Sequence, residues 1–352
     1  MGAQRIISLT AALSAIVGSA SAADTLAPKP GSLESYRDWT IGCDNRDRCE
    51  AVSLMPEGAD WPDNPIALGI SRDAGASADP EIWISREAKG REALSFLIDG
   101  RTVATASSID GEATVKGAQA SALAIAMARG GGMEIRAGGK RIARPSLSGS
   151  AAAFRYMDAK QGRAGTMAAL VATGPLARSA VRPAPVPPTI RRAIIPQGAP
   201  PPALWREELT AIGKFTACAD EMKESSSPPD VHRLSKTEVL VLVPCGAGAY
   251  NFTSVPVIAT GIAGRRTFRF ASFDYQPGWS EDSSHPMLVN AGWSAENATL
   301  QSYAKGRGLG DCGGSESYVW DGTRFRLTEA SAMGECRGAW HWITTWTAKV
   351  VQ

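Results

Sequence analysis

The sequence contains little histidine and lacks the common short catalytic motifs. Three histidines occur among 352 residues, His232, His285 and His341, so few positions could serve as an imidazole general base. There is no G-x-S-x-G, Walker or H-E-x-x-H pattern and no C-x-x-C pair. These absences remove the usual signatures of an α/β-hydrolase, a nucleotide-binding loop, a zinc protease and a thiol redox centre. The sequence therefore identifies no reaction and predicts no cofactor and no metal.

Long apolar segments are also scarce. The stretch Ile6 to Val17 is shorter than the roughly 20 residues that span a bilayer as a helix. It follows a segment with one charge, Arg5, and precedes Ala20-Ser21-Ala22, which places small residues where a signal peptidase reads. We expect residues 1–22 to be a signal peptide, and the rest to be a periplasmic or secreted protein that is not transmembrane.

The cysteine content fits an oxidising compartment. The sequence has six cysteines, an even number, and an oxidising compartment allows paired cysteines to persist as disulfides. Many pairings are available to six cysteines, and the sequence does not choose among them. Closeness along the chain favours Cys43–Cys49, Cys218–Cys245 and Cys312–Cys336.

A change of composition divides the chain. From residue 175 prolines become frequent and arginines occur without acidic residues. Proline fixes φ and removes a hydrogen-bond donor, so this segment should be extended and semi-rigid. We expect an N-terminal β-rich domain with helices over 34–174, a Pro/Arg-rich linker over 175–206 and a C-terminal β-rich domain over 207–352.

The linker carries the excess positive charge. Its arginines could attract a weakly bound anionic surface, or the segment could be an ordinary solvated connection. Because the net charge is only +2 and neither domain is basic, nucleic-acid binding is not expected. The arginines concerned are Arg178, Arg182, Arg191 and Arg192.

Local patterns predict a mainly β protein with a minor α+β component. Asp99-Gly100 between apolar runs predicts a hairpin, and Ala118 to Arg129 predicts a helix that ends at glycines. Ser148 could cap a second helix that runs to about Gln161. The resulting fold has two β-rich domains, sandwich- or barrel-like, the first ending in helices.

The C-terminal half has the stronger strand signals. Val239 to Val243 is wholly apolar, which is typical of a strand buried on both faces. From Trp340 to Val350 residues alternate with period two, so we expect Trp340, Trp342 and Trp346 to face the core.

A set of short segments, most of them around tryptophans, glycines and cysteines, is shared with known proteins: Asp38-Trp39, residues 42–49, residues 306–313, Trp320-Asp321-Gly322 and Glu335-Cys336. These segments resemble a bacterial secreted family, domain of unknown function 1176. The family implies an envelope location and paired cysteines, but it brings no established activity or catalytic residue. The N-terminal half, with Leu147-Ser148-Gly149 before an alanine-rich helix, is also similar to the invasion-associated locus B family. That resemblance implies a role at a host-facing surface.

Two segments could carry chemistry. Residues 281–285 place an acid, a serine and His285 together, although the members of a triad usually meet through the fold. Asp44, Asn45 and Asp47 could bind calcium, or they could simply suit the geometry of a tight turn.

The binding candidates lie in the C-terminal half, in a tryptophan-rich region next to a glycine-rich loop. We expect a non-catalytic envelope protein that binds a protein or a glycan through these loops. One alternative is a secreted hydrolase that uses His285 or His341, and another is an inhibitor of a lysozyme-type enzyme. The candidate binding residues are Trp279, Trp293, Lys305, Arg307 and Asp311.

Overall fold

The computed structural model describes residues 27–225, 227–276 and 285–352. The predicted signal peptide lies outside these residues. In the part that is described, no helix is long and apolar enough to cross a bilayer. The prediction of a mainly β fold is confirmed, since several antiparallel sheets account for most of the regular structure.

The N-terminal half consists of two antiparallel sheets and two helices. Its six-stranded sheet has the order β1-β2-β3-β4-β5-β8, and its four-stranded sheet has the order β10-β9-β6-β7. In chain order the elements are β1 (Leu33–Tyr36), β2 (Trp39–Cys43), β3 (Cys49–Ser53), β4 (Ile66–Arg72), β5 (Glu81–Arg86), β6 (Arg91–Ile98), β7 (Arg101–Ile109), β8 (Ala113–Val115), α1 (Gly117–Arg129), β9 (Met133–Ala137), β10 (Lys140–Ala143) and α2 (Ser150–Lys160).

One apolar core joins these sheets and helices. Because side chains alternate along a strand, Ile70 and Ile82 point from the six-stranded sheet toward Phe96 of the other sheet. Phe154 of α2 packs into the same core. Both predicted helices are confirmed to within two residues at each end, and Asp99-Gly100 forms the predicted hairpin between β6 and β7.

The C-terminal half adds two further sheets. One has the order β12-β13-β14-β15 with β16 paired to β14, and the other has the order β17-β18-β19-β20-β21. The elements are β11 (Thr189–Arg191), α3 (Arg206–Thr216), α4 (Ala219–Glu224), β12 (Asp230–Arg233), β13 (Glu238–Ala247), β14 (Phe252–Thr260), β15 (Thr267–Phe270), β16 (Leu288–Val289), β17 (Gly292–Ser294), β18 (Thr299–Lys305), β19 (Gly313–Trp320), β20 (Phe325–Met333), β21 (Ile343–Thr347) and β22 (Lys349–Val351).

The central strand β13 is buried on both faces, as its composition predicts. Leu240 and Leu242 contribute to the core between the two C-terminal sheets. Val241 and Val243 contribute to a separate core beneath α3. The helices α3 and α4 were not predicted from the sequence. Glu208, the third residue of α3, caps the start of the helix, because its side chain accepts a hydrogen bond from the backbone N–H of Trp205.

The prediction that Trp340, Trp342 and Trp346 face the core was wrong for Trp340, whereas Trp342 and Trp346 pack against the edges of apolar cores. Strand β21 begins only at Ile343, which is fully buried, whereas Trp340 is 39% exposed. Trp340 and Trp342 precede the strand, and a bulge between β20 and β21 further interrupts the alternation before Trp346. Trp342 and Trp346 are half-buried.

All three disulfides join the cysteines that are nearest in the chain. Cys43–Cys49 closes the β2–β3 hairpin, and Cys218–Cys245 ties the start of α4 to β13. Cys312–Cys336 joins the glycine-rich loop to the segment before β21. The connectivity favoured by closeness along the chain is therefore confirmed.

Four of the five linker arginines contact acceptors of the protein itself. Arg178 forms an ion pair with Asp79, and Arg182 pairs with Asp47 at 2.9 Å. Arg191 and Arg192 donate to the backbone carbonyls of Gln352 and Asn297, at 2.5 and 2.6 Å. The strand β11 within this segment pairs in parallel with β22. The two ion pairs reduce the charge that the linker can offer to another surface, whereas Arg191 and Arg192 keep their charge but have donors engaged within the protein.

The Asp44-Asn45-Arg46-Asp47 turn is held by contacts within the protein. The Asp44 carboxylate accepts hydrogen bonds from the backbone N–H groups of Arg46 and Arg48, at 2.8 and 2.9 Å. Asn45 exchanges two hydrogen bonds with the backbone of Thr347 on β21. These contacts favour the turn interpretation of the three side chains, and they also join the two halves of the chain.

A buried ion pair joins the end of β4 to α2. Arg72 Nη2 lies 2.8 Å from Asp158 Oδ1, and both side chains are almost wholly inaccessible. The other Asp158 oxygen accepts hydrogen bonds from the backbone N–H groups of Leu170, Val171 and Ala172. One carboxylate thus fixes the irregular segment after α2.

We predict that Asp158→Asn lowers the free energy of unfolding by about 3–5 kcal/mol, because it leaves the Arg72 charge buried without a counter-ion. Urea unfolding followed by circular dichroism would measure the loss. Asp79→Asn is the matched control, since it breaks the exposed pair with Arg178 and should cost about 0–1 kcal/mol. Equal effects of the two substitutions would contradict this account.

Candidate functional site

The outer face of the six-stranded sheet forms the floor of a cleft of about 650 Å³. Over β2 and β3 this face is covered by the C-terminal half, where Ile343 packs against Gly42 and Val52. Over β4, β5 and β8 the face stays open. The inner side chains of these strands belong to the core, so alternation places the polar residues on the open side.

One row of polar side chains crosses the floor. Glu50 on β3 is the register partner of Ser71 on β4, and Ser71 is the partner of Glu81 on β5. All three line the cleft. Glu81 is paired with Lys116 at 2.9 Å.

The neighbouring row carries the aromatic floor. Gly69 on β4 pairs with Trp83 on β5, which pairs with Thr114 on β8. A Cβ atom on residue 69 would lie 2.2 Å from the Trp83 ring, so only glycine leaves room for the indole at this position. The backbone of Gly69 therefore decides where the Trp83 ring lies.

The segment before β21 supplies one wall. Within it Ala339 is buried in an apolar cluster with Val52 and Leu54, which leaves Trp340 and His341 to line the cleft. Arg337 donates to the Met55 carbonyl at 2.8 Å and forms an ion pair with Asp38.

Asp311 also fixes the segment before β21. Its buried carboxylate accepts a hydrogen bond from the backbone N–H of Gly338 at 2.7 Å and a two-pronged contact from Arg307. Burial alone would raise the pKa of Asp311, but the Arg307 guanidinium and the Gly338 N–H outweigh it and hold that pKa below its ordinary value. The carboxylate is therefore charged and directs the segment.

Glu50 and His341 form the central polar contact of the cleft. His341 Nε2 lies 2.8 Å from Glu50 Oε1, and the Glu50 side chain is 4% exposed. Arg48 Nη1 lies 3.5 Å from the other carboxylate oxygen. Burial by itself raises the pKa of Glu50, but the hydrogen bond from His341 and the charges of His341 and Arg48 outweigh it, so the net pKa lies below 4.5. The ring of His341 also contacts Trp83, with centroids 4.4 Å apart.

The rim of the cleft is acidic. Asp63, Glu87 and Glu112 line it, and none of the three has an ion-pair partner among the described residues. Arg86 is paired with Glu92 outside the cleft, and Arg48 is shared between Glu50 and Asp73. Negative charge is thus left over at the entrance.

Aromatic side chains continue beyond the wall. Trp61 meets Trp340 edge to face, with ring centroids 5.4 Å apart. The Arg307 guanidinium lies 5.8 Å from the centre of the Trp61 ring. A stripe of Trp83, His341, Trp340 and Trp61 therefore leads out of the cleft.

The five binding residues predicted from the sequence do not form one group. Arg307 and Asp311 are brought together, but Asp311 is fully buried and acts as a support. Trp293 lies in a separate pocket of about 280 Å³, where it stacks on His232 and faces the proline-rich segment. Lys305 ends β18, where its backbone is bonded to Asn251. Trp279 lies outside the described residues.

The two histidines of the hydrolase alternative have different surroundings. His285 lies against Phe270, with ring centroids 5.1 Å apart, and residues 281–284 of its acid-serine segment lie outside the described residues. His341 lines the cleft. The remaining features of the cleft, Glu50, Trp83 and the acidic rim, were not singled out from the sequence. Glu50 alone carried a usable signal, because it is an acidic residue inside an otherwise apolar strand next to Cys49.

Fold and site together define a β-rich, disulfide-bonded protein with an aromatic and acidic cleft between its two halves. The family model described as "Protein of unknown function (DUF1176)" matches residues 33–349, and the chain belongs to this family. The family resemblance expected from the sequence is confirmed. The likeness to the invasion-associated locus B family stays a prediction.

A curated relative extends over most of the chain. The protein is similar to the uncharacterized protein YpfG of Escherichia coli strain K12, with 26% identity over 343 residues that cover 90% of this chain and 92% of the relative. No solved structure matches. Neither the family nor this relative has an assigned activity, so the function must be argued from the cleft.

We predict that Glu50→Gln reduces stability more at pH 6 than at pH 3. The folded pKa of Glu50 is lowered, so its charged form stabilises the fold above pH 4.5 and this contribution is lost as the pH falls through the folded pKa. Urea unfolding of both proteins from pH 3 to pH 6 would measure the difference. Glu87→Gln, an exposed rim residue without an ion pair, is the control and should change stability little. A constant difference between wild type and Glu50→Gln across this range would refute the prediction.

Proposed function

We propose that this protein is a non-catalytic binding module whose ligand, a glycan, occupies the cleft between the six-stranded sheet and the segment before β21. The observation that carries the proposal is the convergence of Trp83 and Trp340 on one cleft whose floor and rim are polar. We further propose that the protein works in the periplasm or outside the cell, where its three disulfides persist.

The side chains of the cleft suit a sugar. Indole rings offer flat apolar faces, and the carboxylates of Asp63 and Glu112 can accept hydrogen bonds from hydroxyl groups. A few polar groups on apolar walls are the usual arrangement of a small-molecule site, and the volume lies in the usual range. Because these residues sit on paired strands and a disulfide-tied segment, little order has to be gained on binding.

The charge of the cleft narrows the choice of glycan. With three rim carboxylates left without ion pairs in the described structure, an acidic polysaccharide would be repelled. Neutral sugars and amino sugars fit this rim, and Trp340 can also contact a cationic group. A basic peptide shares part of this chemistry, so it belongs in the test.

We predict that Trp340→Ala weakens binding of neutral or amino-sugar oligosaccharides at least about tenfold, since a central aromatic anchor carries much of the binding energy. Isothermal titration calorimetry with a panel of such oligosaccharides, polygalacturonate and tetralysine would measure it. Trp205→Ala is the matched control, because Trp205 is exposed but lies outside the cleft. Binding of tetralysine but of no sugar would replace the glycan by a protein ligand.

One contact favours a second candidate, a hydrolase. A histidine oriented by a carboxylate can act as a general base, and His341 is bonded to Glu50 within the cleft. Among the described residues no serine hydroxyl is hydrogen-bonded to His341, so water would be the nucleophile. The second ring nitrogen, Nδ1, would take up the proton of this water.

If the protein is a hydrolase, His341→Gln should lower the turnover rate of p-nitrophenyl esters or glycosides at least about a hundredfold, which is within the range that general base catalysis contributes. Absorbance assays of the wild type and the variant would decide. His285→Gln serves as the control and should leave the rate unchanged. Absence of turnover above the buffer rate in the wild type would eliminate this candidate and leave the binding proposal untouched.

A further inference from the structure

Two turns and the start of α3 meet at one end of the C-terminal sheet β12-β13-β14-β15. The β12–β13 turn contains Lys236, and the β14–β15 turn covers residues 261–266. The two turns are joined by a hydrogen bond from the Gly261 N–H to the Thr237 carbonyl at 3.0 Å. The ring of Trp205, at the start of α3, lies against Gly264, where a Cβ atom would come within 2.7 Å of it.

A buried ion pair holds this end rigid. Glu208 accepts hydrogen bonds from the backbone N–H groups of Gly264 and Arg266, each at 3.0 Å, and pairs with the Arg266 guanidinium at 3.3 Å. Arg266 also donates to the Pro202 carbonyl at 2.9 Å. The β14–β15 turn is therefore fixed to the helix start and to the end of the linker, and its outward side chains keep one arrangement.

Those outward side chains are large and apolar. Ile262 at the tip of the β14–β15 turn is 82% exposed, and Trp205 beside it is 57% exposed. Exposing both side chains to water is unfavourable, and it adds nothing to the packing of the core. We call the surface formed by Trp205, Arg206, Lys236, Ile262 and Arg265 the sheet-end surface.

The charges around them are positive. Arg206, Lys236 and Arg265 are exposed, and in the described part of the chain none of the three has an ion-pair partner. Glu207 is the exposed acid next to Arg206 on α3. The other acid of the helix start, Glu208, is neutralised by Arg266. In contrast, the other four linker arginines, Arg178, Arg182, Arg191 and Arg192, are bonded to acceptors of the protein.

We propose that the sheet-end surface docks on the head-group layer of a membrane that contains anionic phospholipids. An indole and an aliphatic side chain can enter the interface, while flanking cations contact the phosphates. Each Lys or Arg near an anionic leaflet strengthens binding about fivefold, so three unpaired cations and two apolar side chains give reversible association. The proposal is independent of the cleft and of its ligand.

The chemistry of this surface favours lipid over a soluble anion. A site for a free phosphate would surround the anion with several hydrogen-bond donors. Ile262 and Trp205, at the centre of this surface, offer a single donor, the indole N–H. A turn that projects an aliphatic side chain between cations gains most where apolar and anionic groups lie in layers. The positions are also mechanically fixed, since Glu208 and Arg266 hold the turn that carries Ile262 and Arg265.

Sedimentation of the purified protein with vesicles tests the proposal. Vesicles of phosphatidylglycerol and phosphatidylethanolamine should bind the protein, and pure phosphatidylcholine vesicles should bind it at least about tenfold more weakly. Raising the salt concentration should weaken the first binding, because screening shortens the reach of the cations.

Matched variants separate the surface from the rest of the protein. Ile262→Ser should lower the vesicle partition coefficient about tenfold, whereas Ile194→Ser, at the same 82% exposure elsewhere, should leave it unchanged. Lys236→Gln should lower it about fivefold, and Lys89→Gln on the N-terminal half should not.

Three outcomes would overturn the proposal. They are no binding to either kind of vesicle, equal losses in the Ile262 and Ile194 variants, and a loss with Lys236→Gln but none with Ile262→Ser. The last result would mean that the protein contacts the vesicle by charge alone and that no side chain enters the head-group layer. All four substituted residues are exposed, so thermal unfolding should show folded proteins in every case.

Discussion

The cleft depends on the burial of one carboxylate at the junction of the two halves. An ionised group taken out of water is costly unless it is paired and hydrogen-bonded. Glu50 meets this requirement only because His341 arrives from the far end of the chain and Arg48 lies next to it in the β2–β3 hairpin. The same contact holds the segment before β21, which forms the wall of the cleft, against the sheet that forms its floor. The packing of the two halves therefore also sets the geometry of the site.

Two buried ion pairs each fix an irregular segment of the chain. Arg72 and Asp158 fix the chain after α2, and Glu208 and Arg266 fix the β14–β15 turn at the start of α3. In both cases the carboxylate also accepts backbone N–H groups that no strand or helix satisfies. Removing one partner would strand the other charge, so such pairs specify position more than they add stability. The disulfides act differently, because they restrict the unfolded chain.

The near-neutral composition conceals two surfaces of opposite character. The rim of the cleft keeps unpaired carboxylates around tryptophans, whereas the sheet-end surface keeps unpaired cations around Trp205 and Ile262. A net charge of +2 describes neither of them. Four of the five linker arginines, the most visible basic cluster in the sequence, are bonded within the protein. The charged side chains that matter most for binding are thus the ones without an internal partner, and only the fold shows which side chains these are.

By itself, the sequence determined the features that rest on short-range chemistry. Local propensity accounts for the hairpin at Asp99-Gly100, the helices α1 and α2 and the buried strand at Val239 to Val243. For the disulfides, closeness along the chain favoured the three pairs that form, but the choice among the possible pairings was made by the fold. Tertiary structure alone decided that Ile343 rather than Trp340 is buried, because Ile343 packs against the covered face of the six-stranded sheet while Trp340 precedes β21. It also decided the site: Glu50, Trp83 and His341 come from β3, β5 and the segment before β21, and strand alternation shows which face a residue occupies but not what covers that face.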